Sequence, residues 1–211
     1  ANVATNSYTT GTLLANTTYY WRIVAKNGCG NAATSATFSF TTAGGPCYCV
    51  PVYSISCSSF ITNVTFNTIN NSSGCANTTN TSYTNYAASG TPTTSLLIGS
   101  SYNLSVTTNL SSIVSAWIDL YANGVYEVSE WTQVYVTGTN GNVNILIPGT
   151  ATPGLTTIRI RSRQNGNPNG SGNACSAMGS GEAEDYGITL VTPTPCATPT
   201  TQPTAIMLTP S

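Results

Sequence analysis

Short runs of alternating apolar and polar residues recur along the chain, and they constrain its fold more than any other feature. An apolar residue at every second position is typical of a β-strand with one buried face. No stretch has convincing helical periodicity, so we expect an all-β fold, an Ig-like or jelly-roll-like β-sandwich. The strands predicted for the middle of the chain are Ile61–Phe66, Tyr102–Thr108, Ile113–Asp119, Trp131–Val136, Val143–Ile147, Thr156–Ser162 and Asp185–Val191.

Charged side chains are scarce, because the 211 residues include five Lys or Arg and six Asp or Glu, with a net charge of −1. Such a chain offers no electrostatic attraction to nucleic acid or to an anionic membrane. No apolar run approaches the length needed to span a bilayer. We therefore expect neither nucleic-acid binding nor membrane insertion.

Histidine is absent, which excludes catalytic arrangements of Ser with His or of Cys with His. No glycine-rich phosphate loop is joined to a lysine. A glycosidase needs two carboxyl groups facing a sugar cleft, and Glu130 with Glu182 or Glu184 could formally supply them. Because these acids have neighbours in structural motifs, we expect that the chain is not an enzyme.

Cysteine is the third compositional signal, with seven residues and therefore an odd count. Without histidine, mixed Cys and His zinc sites cannot form, so disulfides in an oxidising compartment fit better. At least one cysteine must lack a partner within the chain or pair outside it. Cys57–Cys75 is the pair that we predict for one loop. The disulfide candidates are Cys29, Cys47, Cys49, Cys57, Cys75, Cys175 and Cys196.

The N-terminal residues 1–43 predict a few strands that cannot close a sandwich alone. In the run Tyr19–Lys26, one face holds Tyr19, Trp21, Ile23 and Ala25. A turn over Asn27–Gly30 and a second strand that ends at Phe38–Thr42 complete the predicted hairpin.

The run from Leu13 to Thr42 resembles the second half of a fibronectin type III domain. Leu13, six residues before Tyr19, matches the tyrosine corner of that family. The residues from Cys196 to Ser211 resemble the opening strand of another such domain. This resemblance implies sandwich modules in tandem, with half a module over 1–43, a central unit over 47–191, and a linker with a first strand over 192–211.

The central unit resembles the GEVED domain, a module of secreted and surface proteins in Bacteroidetes and related bacteria. The resemblance implies a secreted, multidomain, adhesive or structural context at the cell surface, with no established reaction. The landmarks that carry it are Tyr48-Cys49-Val50-Pro51, Ala116-Trp117-Ile118-Asp119, Asn123-Gly124, Ile158-Arg159-Ile160-Arg161 and Gly181-Glu182-Ala183-Glu184-Asp185-Tyr186.

Three of the six acids lie in a segment with the spacing of a calcium loop. Asp119, Asn123, Gly124 and Glu130 match that pattern, whereas Tyr121 replaces an oxygen ligand. Calcium is therefore the one candidate cofactor, with Asp119, Asn123 and Glu130 as its ligands. The alternative is a bare polar hairpin with an Asn-Gly turn.

The other three acids, Glu182, Glu184 and Asp185, follow one another closely. In an extended strand the two glutamates point one way and Asp185 points the other. Arg159, Arg161 and Arg163 share one face of a strand, so we predict structural ion pairs between the arginines and the acids. A cation or ligand bound by Glu182 or Asp185 is the alternative.

These observations predict a structural or adhesive repeat segment of a secreted protein or extracellular fibre. Neighbouring copies would join head to tail, with a disulfide between Cys29 of one copy and Cys196 of the next at the junction. The alternative is an accessory module that binds surface glycans by aromatic stacking. The aromatic candidates for that role are Tyr83, Tyr86, Tyr121, Tyr126, Trp131 and Tyr135.

Overall fold

The structure is a computed structural model, and it describes residues 10, 17–27, 30–42, 48–51, 58–75, 82–86, 90, 92–177 and 179–194. Within them it contains strands and two short 3-10 turns, at Val128–Glu130 and Ser171–Asn173. The strands are β1 (Thr18–Trp21), β2 (Val24–Asn27), β3 (Gly30–Thr34), β4 (Phe38–Thr41), β5 (Ile61–Phe66), β6 (Ile69–Ser72), β7 (Tyr83–Tyr86), β8 (Thr94–Leu97), β9 (Ser101–Thr108), β10 (Ser112–Ile118), β11 (Trp131–Tyr135), β12 (Asn140–Leu146), β13 (Gly154–Gln164) and β14 (Glu182–Val191).

The first four strands form two consecutive antiparallel ladders of one hairpin. β1 pairs with β4, and β2 pairs with β3. The prediction of one unbroken strand over Tyr19–Lys26 was wrong, because β1 ends at Trp21 and β2 begins at Val24. Between them the backbone N–H of Ile23 donates to the hydroxyl of Ser35, which takes the place of a backbone partner. The predicted turn falls partly outside the described residues.

Two further sheets carry the rest of the described chain. The larger has six strands in the order β11-β10-β13-β14-β7, with β8 pairing beside β7 along β14. The smaller has four strands in the order β12-β9-β5-β6. β7 and β8 lie parallel to β14, whereas the other pairs are antiparallel.

The main hydrophobic core lies between these two sheets, and the strands contribute to it the side chains of their inner faces. Val64 and Phe66 of β5, for example, are buried, whereas Thr65 between them is half-buried. The same alternation gives the buried residues Leu104 and Val106 of β9. The prediction of an all-β sandwich is confirmed, and each strand predicted for the central unit matches an observed one to within a few residues at each end.

No helix within the described ranges is long and apolar enough to cross a membrane.

Candidate functional site

The outer face of the six-stranded sheet carries a second, smaller core. The register of β10 and β13 places Trp117 beside Arg159 and Ser115 beside Arg161. A coil segment over 165–177, which we call the covering segment, packs over this face, and Ala174 within it is buried. The indole N–H of Trp117 donates to the carbonyl oxygen of Ser171 in that segment, at 3.0 Å.

Arg159 lies at the centre of this face and is fully buried. Its guanidinium forms a two-point ion pair with Asp185 on β14, with Nε 2.7 Å from Oδ1 and Nη2 2.6 Å from Oδ2. Its remaining donors reach the carbonyl oxygens of Ala174 at 2.9 Å and Cys49 at 2.6 Å. The planar fork of arginine suits this arrangement, because four of its N–H groups find oxygens and a further Nη1 contact reaches the sulfur of Cys49 at 3.0 Å.

Aromatic rings complete the surroundings of Arg159. The guanidinium carbon lies 4.8 Å from the ring centre of Tyr126 and 5.6 Å from that of Tyr83. Tyr48 stacks on Tyr126 at 4.8 Å between ring centres. The hydroxyl of Tyr83 donates to Asp185, which gives the carboxylate a further partner. A buried cation over ring faces gains electrostatic stabilisation in this low-dielectric setting.

The other two arginines of β13 hold the covering segment by its backbone. Arg161 donates to the carbonyl oxygen of Ser176 at 2.9 Å, and Arg163 donates to that of Pro168 at 2.8 Å. Asn169, also buried, donates from its side chain to the carbonyl oxygens of Ile113 and Arg161. The arginine face therefore fixes a segment that has no strand ladder of its own.

A disulfide closes the same region. Cys49 and Cys175 are bonded, with their Cα atoms 5.7 Å apart, and they tie residues 48–51 to the covering segment. Cys75 is also disulfide-bonded, but Cys57, its predicted partner, lies outside the described residues. The remaining candidates, Cys29, Cys47 and Cys196, lie outside them as well.

The acidic segment of β14 divides its side chains between the two faces of the sheet. Asp185 lies opposite Arg159, whereas Glu184 lies opposite Ile160 and Glu182 opposite Ser162. The two glutamates thus point into the interior of the sandwich, away from the arginine face. We predicted that all three acids pair with arginines, but this register does not place the two glutamates beside them. The ion pair observed among the described residues is Arg159–Asp185.

The buried glutamates have partners of a different kind. Glu182 accepts the backbone N–H of Ile61 on the opposite sheet at 2.9 Å, so it links the two layers. Glu184 accepts the hydroxyl of Tyr186 at 2.6 Å, and Asn71 donates to the same hydroxyl. Gly181, just before them, has φ +88°, and a Cβ there would overlap the carbonyl oxygen of Ser162. Only glycine fits that position without strain.

Burial raises the pKa of Glu184 above its ordinary value, and the hydrogen bond from Tyr186 only partly offsets this. The protonated side chain of Glu184 therefore stabilises the fold fully at pH values below its pKa in the unfolded chain. This stabilisation is lost as the pH rises through its higher pKa in the folded chain. We expect the stability of Glu184→Gln to fall less than that of the wild type as the pH rises over the range above the ordinary pKa of a glutamate, about 4.3. Urea unfolding across this range measures the difference, and parallel curves for the two proteins would contradict it.

The predicted calcium loop is closed by its own hydrogen bonds. Asp119 accepts the backbone N–H groups of Asn123 at 3.2 Å and Gly124 at 2.8 Å, as well as the hydroxyl of Tyr48. Glu130 accepts those of Leu120 at 2.6 Å and Glu127 at 2.9 Å. No group of three or more His, Cys, Asp or Glu side chains that could hold a metal ion is found among the described residues. Calcium binding stays a prediction that this geometry does not by itself support.

The six aromatic residues considered for glycan stacking do not share one environment. Tyr126 is buried in the outer core, and Trp131 packs against it. Tyr83, Tyr86 and Tyr135 are half-buried. Of the six, Tyr121 is the one with a largely exposed ring, at 47%. The glycosidase pairs are also buried, since Glu130 is 5% exposed and both glutamates of β14 are 0% exposed.

Sequence reasoning missed the residues that connect these parts. It named Tyr48 and Trp117 as landmarks without giving them a role, and it gave Cys49 and Cys175 as disulfide candidates without pairing them. Alternation along β10 was a partial signal for Trp117, because it places the ring on the face opposite Ala116, but its position beside Arg159 depends on the register of β10 with β13. No comparable signal existed for the disulfide, whose cysteines are 126 residues apart.

The fold and the arginine face together define a β-sandwich module whose charged residues serve internal cohesion. Residues 113–189 match the family model of the GEVED domain, and this range contains β11 to β13, the covering segment and most of β10 and β14. The family model supports the resemblance to that domain over these 77 of the 211 residues. No curated protein matches the chain. The fibronectin type III character of the flanking residues stays a prediction.

Proposed function

We propose that the chain is a non-catalytic structural or adhesive segment of an extracellular protein, and that neighbouring copies join head to tail. The observation that carries this proposal is the hairpin of β1 to β4. Its rings form two stacked cross-strand pairs on one face, Tyr19 with Phe40 at 5.7 Å and Trp21 with Phe38 at 4.8 Å between ring centres.

The exposure of these rings is unusual for a folded chain. Trp21 is 46% exposed, Phe38 is 48% exposed and Phe40 is 43% exposed. The opposite face of the same ladder carries Thr18, Tyr20, Ser39 and Thr41. A two-stranded ladder with one aromatic face and one largely polar face is only marginally stable in water and needs a partner layer.

We propose that the partner is a strand from a neighbouring copy. The sequence Pro203-Thr-Ala-Ile-Met-Leu-Thr-Pro210 is uncharged and is predicted to be extended, with proline at both ends. These residues and both cysteines of the proposed junction, Cys29 and Cys196, lie outside the described ranges. Methionine and aliphatic side chains pack well on aromatic rings. A contact of this kind links each copy to the next, so it propagates rather than closing.

A non-catalytic role is supported by the position of the acidic side chains of β14, which are buried and hydrogen-bonded within the fold. The carboxyl groups of Glu182, Glu184 and Asp185 are buried and accept hydrogen bonds from neighbouring groups of the same fold. Glycoside hydrolysis would instead need two such groups facing a cleft that admits a sugar.

Deletion of residues 196–211 tests the assembly. We expect the full chain to form concentration-dependent oligomers and fibres, measured by sedimentation velocity and electron microscopy, and the shortened chain to stay monomeric. Trp21→Ser with Phe38→Ser should abolish assembly in the same way, because it removes one stacked pair. The matched control is Tyr20→Ser, which changes an exposed ring on the opposite face and should assemble normally.

Two results would overturn the proposal. One is a full chain that stays monomeric at about millimolar concentration, where even weak contacts are populated. The other is a shortened chain that assembles as well as the full one. Selective binding of a glycan by monomeric protein, lost on changing Tyr121, would favour the accessory-module alternative instead.

A further inference from the structure

The sandwich keeps nearly all of its charge inside. Residues 48–194 contain nine charged residues, all of them described, and eight are buried. Glu127 is the only one of the nine that is not. A folded surface normally carries most of the charges of a domain. The surface of this sandwich is therefore almost electrostatically neutral, and copies of it meet with little repulsion.

One large face of this surface is both neutral and regular. On the outer side of the four-stranded sheet, each strand presents alternate residues to solvent, and with one exception all are Asn, Ser or Thr. We call this the amide face. Its members are Asn70 and Ser72 of β6, Asn63 and Thr65 of β5, Ser101, Asn103, Ser105 and Thr107 of β9, and Asn140, Asn142 and Asn144 of β12, with Leu146 as the exception.

The side chains of this face already pair across strands. The amide of Asn103 donates to Asn144 at 3.0 Å, and that of Asn63 donates to Asn70 at 3.1 Å. The donor hydrogens of Asn63 and Asn103 are used within the face. Asn70, Asn142 and Asn144 act there as acceptors, so their own donor hydrogens face a second layer. Two copies of this face are therefore complementary, because each presents both hydrogen-bond donors and acceptors to the other.

We propose that the amide face is a lateral contact between copies of this chain in neighbouring arrays. The inference rests on the proposed head-to-tail function, which supplies the arrays. The neutral charge favours a second copy, because opposing faces bring no like charges together. A glycan would lack rings to stack on, since the outward residues of this face include no aromatic side chain. Nucleic acid would lack cations to neutralise its phosphates.

The size of the face explains why arrays are needed. Four strands about 4.8 Å apart with outward residues about 7 Å apart cover about 400 Å². A stable interface buries about 800 Å² on each partner. A single contact is therefore too small to hold two copies together. Consecutive contacts along an array add up, because each one raises the effective concentration of the next.

The test compares the chain with a single polypeptide of three successive copies. The Trp21→Ser and Phe38→Ser changes are present in both, so that end-to-end growth does not contribute. We expect the single copy to remain monomeric at about 0.1 mM and the three-copy protein to pair at least about 100-fold more tightly by sedimentation equilibrium. Because its copies are joined covalently, failure of the head-to-tail contact leaves this result unaffected.

Charge introduced on the face should abolish pairing. Asn103→Lys with Asn142→Lys places like charges on opposing faces, and we expect the three-copy variant to lose at least about 100-fold in association. About 1 M salt should restore part of it by screening. Asn140→Lys with Asn144→Lys is a second variant at exposed positions in case the first unfolds. The control, Ser95→Lys with Gln164→Lys, adds the same charge to the other sheet and should pair like the parent.

Three results would overturn the inference. The first is a three-copy protein that associates no more tightly than the single copy. The second is pairing of the amide-face lysine variants as tight as that of the parent, and the third is an equal loss of pairing in the control. A neutral polysaccharide that binds the parent but not the amide-face variant would assign the face to a glycan.

Discussion

Replacing Arg159 with methionine is expected to lower the free energy of unfolding by about 3–5 kcal/mol. The change leaves the carboxylate of Asp185 buried without its cation, and it also removes the donors to the carbonyl oxygens of Cys49 and Ala174. A buried charge that loses its partner costs more than the pair contributes, because water cannot reach it. Urea unfolding followed by tryptophan fluorescence measures the loss.

Two further variants separate the charge from the packing. Arg159→Met with Asp185→Leu removes both charges, and we expect it to lose less stability than the single variant, although the two carbonyl oxygens remain without donors. Arg22→Met is the matched control, because Arg22 is exposed, and it should change the stability by less than about 0.5 kcal/mol. A single variant as stable as this control would contradict the role assigned to Arg159.

Replacing Cys49 and Cys175 together with alanine is expected to cost about 4 kcal/mol. The bond joins residues that are 126 apart in sequence, so its removal frees a long loop in the unfolded chain. For a domain of this size the midpoint of thermal unfolding should fall by about 8–16 °C. Because the unfolded chain becomes less compact, the dependence on urea should also steepen.

The control for the disulfide is Cys75→Ala, which removes a different bond and should not release the covering segment. Hydrogen exchange distinguishes the two variants, since loss of Cys49–Cys175 should deprotect residues 165–177 while the ladder of β13 with β14 stays protected. Equal protection of the covering segment in the double variant and the wild type would show that the arginines alone hold it.

Apolar patterning predicted seven of the ten strands of the two larger sheets, and β6 is among those missed. Ile61–Phe66 was predicted with the bounds it has, because its apolar residues Ile61, Val64 and Phe66 are followed directly by a turn. The parallel strands β7 and β8 were not predicted, since Tyr83–Tyr86 and Thr94–Leu97 are short and only partly alternating. The break at Arg22 and Ile23 was also missed, because it depends on a hydrogen bond to Ser35 from the other strand.

The site was predictable in its parts but not in its orientation. The common face of Arg159, Arg161 and Arg163 follows from their spacing, and so does the opposite direction of Glu184 and Asp185. Which of the two acids meets the arginines depends on the register of β13 with β14, and a single sequence does not contain it. The covering segment has no periodicity, so its carbonyl oxygens could not be predicted as the partners of the arginines.

The burial of charge has a consequence for how proteases act on this module. Enzymes of the trypsin class cut after lysine or arginine, and residues 48–194 offer them only Arg159, Arg161 and Arg163, which are inaccessible in the native fold. Cleavage at any of these bonds requires the sandwich to open first. Digestion there would proceed at the pace of unfolding, which makes durability in a protease-rich environment a property of the fold.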